Sequence, residues 1–368
     1  MQQKPYLIII LPKMLKIGYD AKRYYHNRTG LGNYSRTLVQ AVSAMCPGIQ
    51  PELYDCKALE RTFRLGRRAA AEGCQLFHGL SNELPRDIVK AGIPSIVTMH
   101  DVAWRTFPDM YTPIDRIIYD MKYGWSARHA THVVCISQST KRDVMRFYGV
   151  PEERITVIYQ PVQQQFYTPM AAEEAEKICN RTLPYTQNRD IILTVGSINS
   201  RKNLLGMVQA LEGLPPAERP LFVVVGNGRD YRTKVEQYID THGLRKNIRI
   251  ETDIHDTQTL QALYTRAKCM MYPSFYEGFG LPVVEAALQK CPVITSNVSS
   301  LPEAAGPATI QVDPTAVSQM TNALRRLLAS PDECKERAEK AYQYCMEHFC
   351  PETLTRQMLN LYDTLAAR

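Results

Sequence analysis

The stretch Cys269-Met270-Met271-Tyr272-Pro273-Ser274-Phe275-Tyr276-Glu277-Gly278-Phe279-Gly280-Leu281-Pro282-Val283-Val284-Glu285-Ala286 reads as a strand, a turn and the entry into a helix. Four apolar residues predict a short buried strand, two glycines turn the chain, and Pro282 marks the first helical position, where a missing N–H costs nothing. A strand apolar on both faces belongs to a parallel sheet covered by helices on both sides.

The same alternation extends outward. The second half predicts strands at 191–195, 221–225, 248–250 and 293–295, separated by helical patterns at 204–211, 231–242 and 257–267. The first half repeats it at 17–19, 76–78, 96–99 and 133–136. The predicted fold class is therefore α/β, with two Rossmann-like doubly wound parallel-sheet domains. A chain of 368 residues is also too long for one ordinary core. Periodicity breaks after Ile158, so the predicted domains are 14–165 and 166–349. Helical patterns at 331–346 and 351–366 are divided by a break at 349–351, and residues 350–368 are expected to return to the N-terminal domain as a helix. Residues 1–13 read as detached from the fold, which makes Met14 a candidate natural start.

Composition narrows the class. The apolar run 6–11 is far shorter than the ~20 residues of a membrane-spanning helix, and no small-residue cleavage site follows it. Ten scattered cysteines without a C-x-x-C pair suit a reducing compartment, so the expected location is cytoplasmic. The formal charge of +7 is concentrated in residues 1–165, which hold 22 Lys and Arg against 14 Asp and Glu. Arg61, Arg64, Arg67 and Arg68 fall at spacings that place several side chains on one side of a helix. They read as a solvated face or as a docking site for anionic lipid headgroups at the inner face of the membrane.

Four strand ends carry the chemistry. Backbone N–H groups from Gly278 to Leu281 are expected at the positive end of a helix, a setting for oxygen-rich anionic ligands, flanked by Glu277 and Glu285. Val195-Gly196-Ser197-Ile198-Asn199-Ser200-Arg201-Lys202-Asn203 offers two cations after another apolar strand. Thr29-Gly30-Leu31-Gly32-Asn33-Tyr34 offers glycine backbone that can wrap a phosphate or simply turn. Ser35 stands where a dinucleotide fingerprint needs its third glycine. Thr98-Met99-His100-Asp101 closes a further strand; Asp101 reads as a helix cap, and His78 as a structural or acceptor-facing histidine. No D-x-D pattern occurs, the nearest being Glu251-Thr252-Asp253, so no metal and no cofactor are called for.

The pair Glu277 and Glu285, spaced by seven residues around Gly-Phe-Gly-Leu, is similar to the signature of glycosyltransferase family 4, retaining enzymes of GT-B fold. The resemblance covers nearly the whole chain from Met14, including 135–139, 148–151 and 302–306. It implies an interdomain cleft that closes by a hinge. It further implies that Glu277 approaches the donor sugar, that the backbone of Gly278, Phe279, Gly280 and Leu281 holds its hydroxyls, and that Glu285 accepts the ribose hydroxyls. Arg201 and Lys202, on the loop with Ser197, would grip the diphosphate in place of a metal ion. Gly30 and Gly32 would cap the phosphates, and His100 would contact the sugar near the reaction centre. Asp253 and Ile254 would meet the nucleobase, although Thr252 stands where relatives often carry glycine.

The opening pattern most resembles the mannosyltransferase branch of O-antigen or capsule synthesis, which makes GDP-mannose the leading donor. The acceptor would be a cell-envelope polysaccharide or lipid-linked glycan; no nucleic-acid partner is implied. The rival readings are a nucleotide-sugar epimerase on the same scaffold, a non-catalytic scaffold in a glycan-assembly complex, and a Rossmann oxidoreductase.

Overall fold

The computed structural model describes residues 14–27, 30–254 and 256–367. The expectations placed on residues 1–13 and on Thr29 fall outside them. The chain forms two compact units, one running to Gln163 and resuming at Phe349, the other spanning Gln164–His348.

The first unit contains a six-stranded sheet of β1 (Leu15–Asp20), β2 (Ile49–Tyr54), β3 (Leu76–Gly79), β4 (Ser95–Met99), β5 (His132–Cys135) and β6 (Ile155–Val157). The order is β2-β1-β3-β4-β5-β6 and every pairing is parallel. All residues of β3 and β4 are buried, as expected of strands covered on both faces. The helix Pro351–Ala366 belongs to this unit and buries Tyr362 against His78.

The second unit repeats the architecture with β7 (Ile191–Val195), β8 (Leu221–Val225), β9 (Ile248–Glu251), β10 (Cys269–Tyr272), β11 (Val293–Ser296) and β12 (Ile310–Val312). Its order is β12-β11-β10-β7-β8-β9, again parallel throughout. The chain winds outward from β7 in one direction and then, from β10, in the other. The junction of β7 and β10 is thus the switch point, where loops leaving the carboxyl ends diverge and open a crevice. Val208, Phe222, Val224, Met271, Ile294 and Leu324 form part of one buried cluster beneath it. Each such side chain contributes roughly 1.5–3 kcal/mol by leaving water.

Three strands, β2, β6 and β12, are absent from the sequence-based expectation. Each lies at a sheet edge, and β2 carries Pro51 and Glu52, so none shows the continuous apolar run of a central strand. A short helix, Lys22–His26, follows β1, and the next helix already begins at Gly30. The arginine cluster also departs from expectation. The backbone breaks at Arg64 between the helices Ala58–Phe63 and Leu65–Ala71, so no single helix face carries all four. Arg61 binds Asp20 at 2.6 Å and also Glu83, Arg67 faces Asp87 at 3.6 Å, and Arg68 pairs with Glu60 and Glu72, both at 2.8 Å. Three of the four pair with carboxylates of the chain, and Arg61 is largely buried by its pairs.

Candidate active site

At the switch point of the second unit, the loop after β7 meets the loop after β10. Gly196 has φ +138°, a conformation suited to glycine, and a Cβ there would lie 3.1 Å from both Cε and Nζ of Lys202. The loop then closes as a short turn, with the Asn199 side chain accepting from the Lys202 N–H at 3.2 Å. The neighbouring β8 loop supports it: Gly196 donates to Val225 O and Ile198 to Asn227 O, at 2.8 and 2.7 Å. Gly226 and Gly228 make that approach possible, since a Cβ at either would strike the carbonyl of Gly196 or Ile198.

The β10 loop brings Glu277 to these cations. Its carboxylate accepts from Arg201 Nη1 at 2.7 Å and from Lys202 Nζ at 2.9 Å. Tyr272, the last residue of β10 and almost fully buried, donates its hydroxyl to Glu277 Oε1 at 3.1 Å. Lys202 Nζ bonds the same hydroxyl and lies 4.6 Å from the ring centre. Arg201 also donates to Tyr276 O, and Phe275 N–H donates to Arg201 O at 2.8 Å. From the β11 side, Ser299 Oγ accepts the Glu277 N–H at 3.0 Å, while Ser300 Oγ bonds the carbonyls of Glu277 and Phe279. The side chain of Glu277 is thus fixed by three donors and its backbone by two serines.

Electrostatics follows from that geometry. Burial alone would raise the pKa of Glu277, but Lys202 and Arg201 outweigh it and hold the carboxyl down to about 2. Lys202 is lowered, first by burial and then by Arg201 beside it despite the pull of Glu277. Two cations against one carboxylate leave the group with a net positive charge facing the crevice, the sign that attracts an anionic ligand.

The remaining predicted residues are placed as follows. Gly280 has φ +117° and precedes the helix Leu281–Leu288, so Pro282 stands in its first turn, one residue further in than expected. Gly278, Phe279 and Gly280 are buried. Glu285 projects from the same helix, accepts the Tyr264 hydroxyl at 3.0 Å, and is pushed up to about 7 by burial, with Tyr264 opposing the rise. Ser197 is exposed and accepts from Asn199 Nδ2 at 3.0 Å. Asp253 and Ile254 follow β9, two strands from β7, at the same carboxyl edge of the sheet.

In the first unit, Gly30 and Gly32 lie in the first turn of the helix Gly30–Met45, and Gly32 N–H donates to Asn27 Oδ1 at 3.3 Å. A Cβ at Gly32 would overlap Asn27 O. His100 is buried with both ring nitrogens engaged: Nε2 meets Leu80 O at 2.8 Å and Nδ1 meets Gln160 Nε2 at 2.7 Å. A carbonyl can only accept and an amide nitrogen only donate, so the ring is neutral with its proton on Nε2. Burial lowers its pKa to about 4. Asp101 Oδ1 accepts the Ala103 N–H at 3.2 Å at the start of the next short helix. His78 is fully buried between Tyr362 OH and Thr98 Oγ1, both at 2.8 Å, and is structural rather than acceptor-facing.

Sequence reasoning passed over Tyr272, Ser299, Ser300 and the Gly226–Gly228 turn. Tyr272 reads as one more apolar strand residue, and the two serines lie more than twenty residues from the carboxylate whose backbone they hold. The Gly-Asn-Gly turn after β8 was a usable signal, because glycine pairs at the carboxyl end of a parallel strand mark close backbone approach.

Two doubly wound sheets with a cation–carboxylate cluster at the switch point define a class, and comparison with known proteins agrees. Residues 181–344 match the glycosyl transferases group 1 family and residues 25–166 match glycosyltransferase family 4, and the chain belongs to these glycosyltransferases. It is 30% identical over 298 residues to O-antigen chain mannosyltransferase B of Escherichia coli, covering 79% of this chain and 74% of that protein. It is 24% identical over 238 residues to O-antigen chain mannosyltransferase RfbU of Salmonella typhimurium, covering 64% of this chain and 61% of the relative. Among solved structures, Anabaena HepE in complex with UDP matches with a TM-score of 0.77 at 16% identity, over 96% of this chain and 100% of that one. That likeness is one of fold, the GT-B arrangement of two Rossmann-like units.

Proposed function

We propose that this glycosyltransferase transfers mannose from GDP-mannose to a cell-envelope polysaccharide or lipid-linked acceptor, with retention at the anomeric carbon and without a metal ion. The observation that carries the reading is the Glu277 carboxylate held between Arg201 and Lys202 at the switch point of the second unit. A departing nucleoside diphosphate accumulates negative charge, and two fixed, largely buried cations stabilise it where it forms. Gly278, Phe279, Gly280 and Leu281 present backbone at a helix start to the sugar hydroxyls, while Ser197 stands beside the diphosphate. Glu285 accepts the ribose hydroxyls, and Asp253 and Ile254 border the base. The second unit is thus the donor side.

The first unit is the acceptor side. The resemblance assigns Gly30 and Gly32 to the phosphates and His100 to the sugar, and a sugar contact by the His100 ring requires it to exchange its hydrogen bond to Leu80 O or to Gln160. In the reaction the acceptor hydroxyl oxygen bonds to the anomeric carbon on the face from which the phosphate departs. The bond from that carbon to the phosphate oxygen breaks with its electron pair going to the diphosphate, which then takes the acceptor's proton. Glu277 orients the sugar and need not bond to it. Mannose and an envelope acceptor are supported by the names of the two O-antigen relatives. The cytoplasmic side of the envelope is supported by the spacing of the ten cysteines, none of which forms a C-x-x-C pair.

The test is a donor-consumption assay in EDTA with GDP-mannose and a mannose-terminated lipid-linked glycan, the product anomer being read by NMR. An α-linked product from the α-linked donor is expected. A β-linked product contradicts retention, consumption only of UDP-sugars contradicts the donor, and conversion of the donor without acceptor favours an epimerase.

A further inference from the structure

Every residue of β10 is buried, and Cys269, Met270 and Met271 are apolar. The last, Tyr272, is 2% exposed, and a phenylalanine would fill the same place in the core. A hydroxyl taken out of water there costs free energy unless it is bonded, and this one is bonded twice. Its oxygen accepts from Lys202 Nζ, and its proton goes to Glu277 Oε1 at 3.1 Å, since an ammonium has no lone pair to accept it. Burial first, and then the charge of Glu277, hold the phenol well above its ordinary pKa, so it stays a neutral hydroxyl.

Those bonds decide which way Lys202 points. An ammonium carries three N–H bonds on a flexible stem, unlike the planar fork of an arginine. Its nitrogen is tetrahedral: Cε takes one direction, the Tyr272 hydroxyl a second, and Glu277 Oε1, at 2.9 Å, a third. The fourth direction is thereby fixed, and among the described residues no acceptor takes that last N–H. The stem is confined as well: a Cβ at Gly196 would lie 3.1 Å from both Cε and Nζ, and the centre of the Tyr272 ring is 4.6 Å from Nζ. Tyr272 is itself held, its carbonyl accepting from Ser274 N–H at 2.9 Å and from Thr295 Oγ1 of β11 at 3.2 Å.

We propose that Tyr272 is a positioning residue for the transfer: its hydroxyl aims the remaining N–H of Lys202 at the oxygen on which the departing diphosphate gathers charge. The inference rests on the reading of this cluster as the donor site. Removing the hydroxyl leaves both cations in place, so attraction for a bound diphosphate persists while alignment at the transition state is lost. Misplacement by about an ångström can cost on the order of 10²-fold in rate.

The experiment is a double-mutant cycle of Tyr272→Phe and Lys202→Ala, read as single-turnover rates at saturating donor and as donor dissociation constants by titration calorimetry. The donor is GDP-mannose with a mannose-terminated lipid-linked glycan as acceptor, or whichever of UDP-glucose and UDP-N-acetylglucosamine the wild type consumes instead. Tyr272→Phe is expected to slow turnover by roughly tenfold or more, with the dissociation constant changed by less than about threefold. A structural lesion acts whether or not Lys202 is present, whereas a residue that acts through Lys202 does not. In the Lys202→Ala background, Tyr272→Phe should therefore cost less than about twofold further. A wild-type rate in Tyr272→Phe, an equal loss of rate and affinity, or the same loss with and without Lys202 overturns the proposal and leaves the donor site standing. Consumption of none of the three donors, or an unchanged rate in Lys202→Ala, overturns the donor-site reading and the proposal with it.

Discussion

Lys202 Nζ lies 2.9 Å from Glu277 Oε1, joining the loop after β7 to the loop after β10 across the one place where the sheet reverses its winding. Arg201 completes the pair into a triad, so the positive charge of the crevice and its acid are fixed by a single group of contacts.

Removing either charge should be felt in both rate and stability. Lys202→Ala and Glu277→Gln are each expected to lower kcat by roughly 10²–10³-fold, the range seen when a fixed electrostatic stabiliser is lost. Glu277→Gln also leaves two buried cations uncompensated, at a cost on the order of 3–5 kcal/mol. In the wild type, the folded pKa of Glu277 is depressed from 4.5 to about 2. Its stabilisation is therefore complete above pH 4.5 and fades as the pH falls toward 2. Single-turnover rates with denaturant melts at pH 7, 4 and 2.5 measure all three effects.

Glu285 titrates in the opposite sense. Its folded pKa is raised from 4.5 to about 7, so the stability it contributes is complete below pH 4.5 and is lost as the pH rises through 7. The ionised carboxylate accepts ribose hydroxyls more strongly than the neutral acid does, so donor affinity should increase from pH 6 to pH 8. Glu285→Gln should flatten both trends, which titration calorimetry and thermal melts across that interval would read.

Gly196 tests the packing of the cationic loop. Gly196→Ala forces an L side chain into φ +138° and brings its Cβ to 3.1 Å from Lys202 Nζ. The strain is expected to cost about 1–3 kcal/mol, and the displaced lysine should lower kcat more than a purely structural lesion of equal size would.

Tyr362→Phe supplies that structural comparison. Tyr19 donates to the Tyr362 hydroxyl at 3.3 Å, and Tyr362 meets His78 Nδ1 at 2.8 Å, so the variant strands a fully buried ring nitrogen. A loss of about 1–3 kcal/mol is expected, read as a lower denaturant midpoint with kcat close to wild type.

These contrasts also show what was legible from the residues. The central strands β8 and β10 are continuous apolar runs because both their faces are buried, and they can be read from composition alone. The edge strand β2 cannot, since Pro51 and Glu52 suit a strand with one free side. At the site, Glu277, Arg201 and Lys202 stand out as charges at strand ends, and the structure brings them together. Tyr272 and Ser300 carry no local signal, because their parts depend on contacts made only after the sheet forms. The arginines misled for the same reason: Arg61 looks solvated until Asp20 and Glu83 arrive from other strand ends.

The most direct test of the central claim is titration calorimetry of the wild type, Lys202→Ala and Glu277→Gln with GDP-mannose, UDP-glucose, UDP-N-acetylglucosamine and NAD in EDTA. The predicted result is metal-free binding of GDP-mannose by the wild type, weakened by about tenfold or more in Lys202→Ala, where a charge-assisted contact to the diphosphate is lost. Equal affinity in wild type and Lys202→Ala, or binding of NAD alone, would contradict the assignment of the Arg201–Lys202–Glu277 cluster as the donor site.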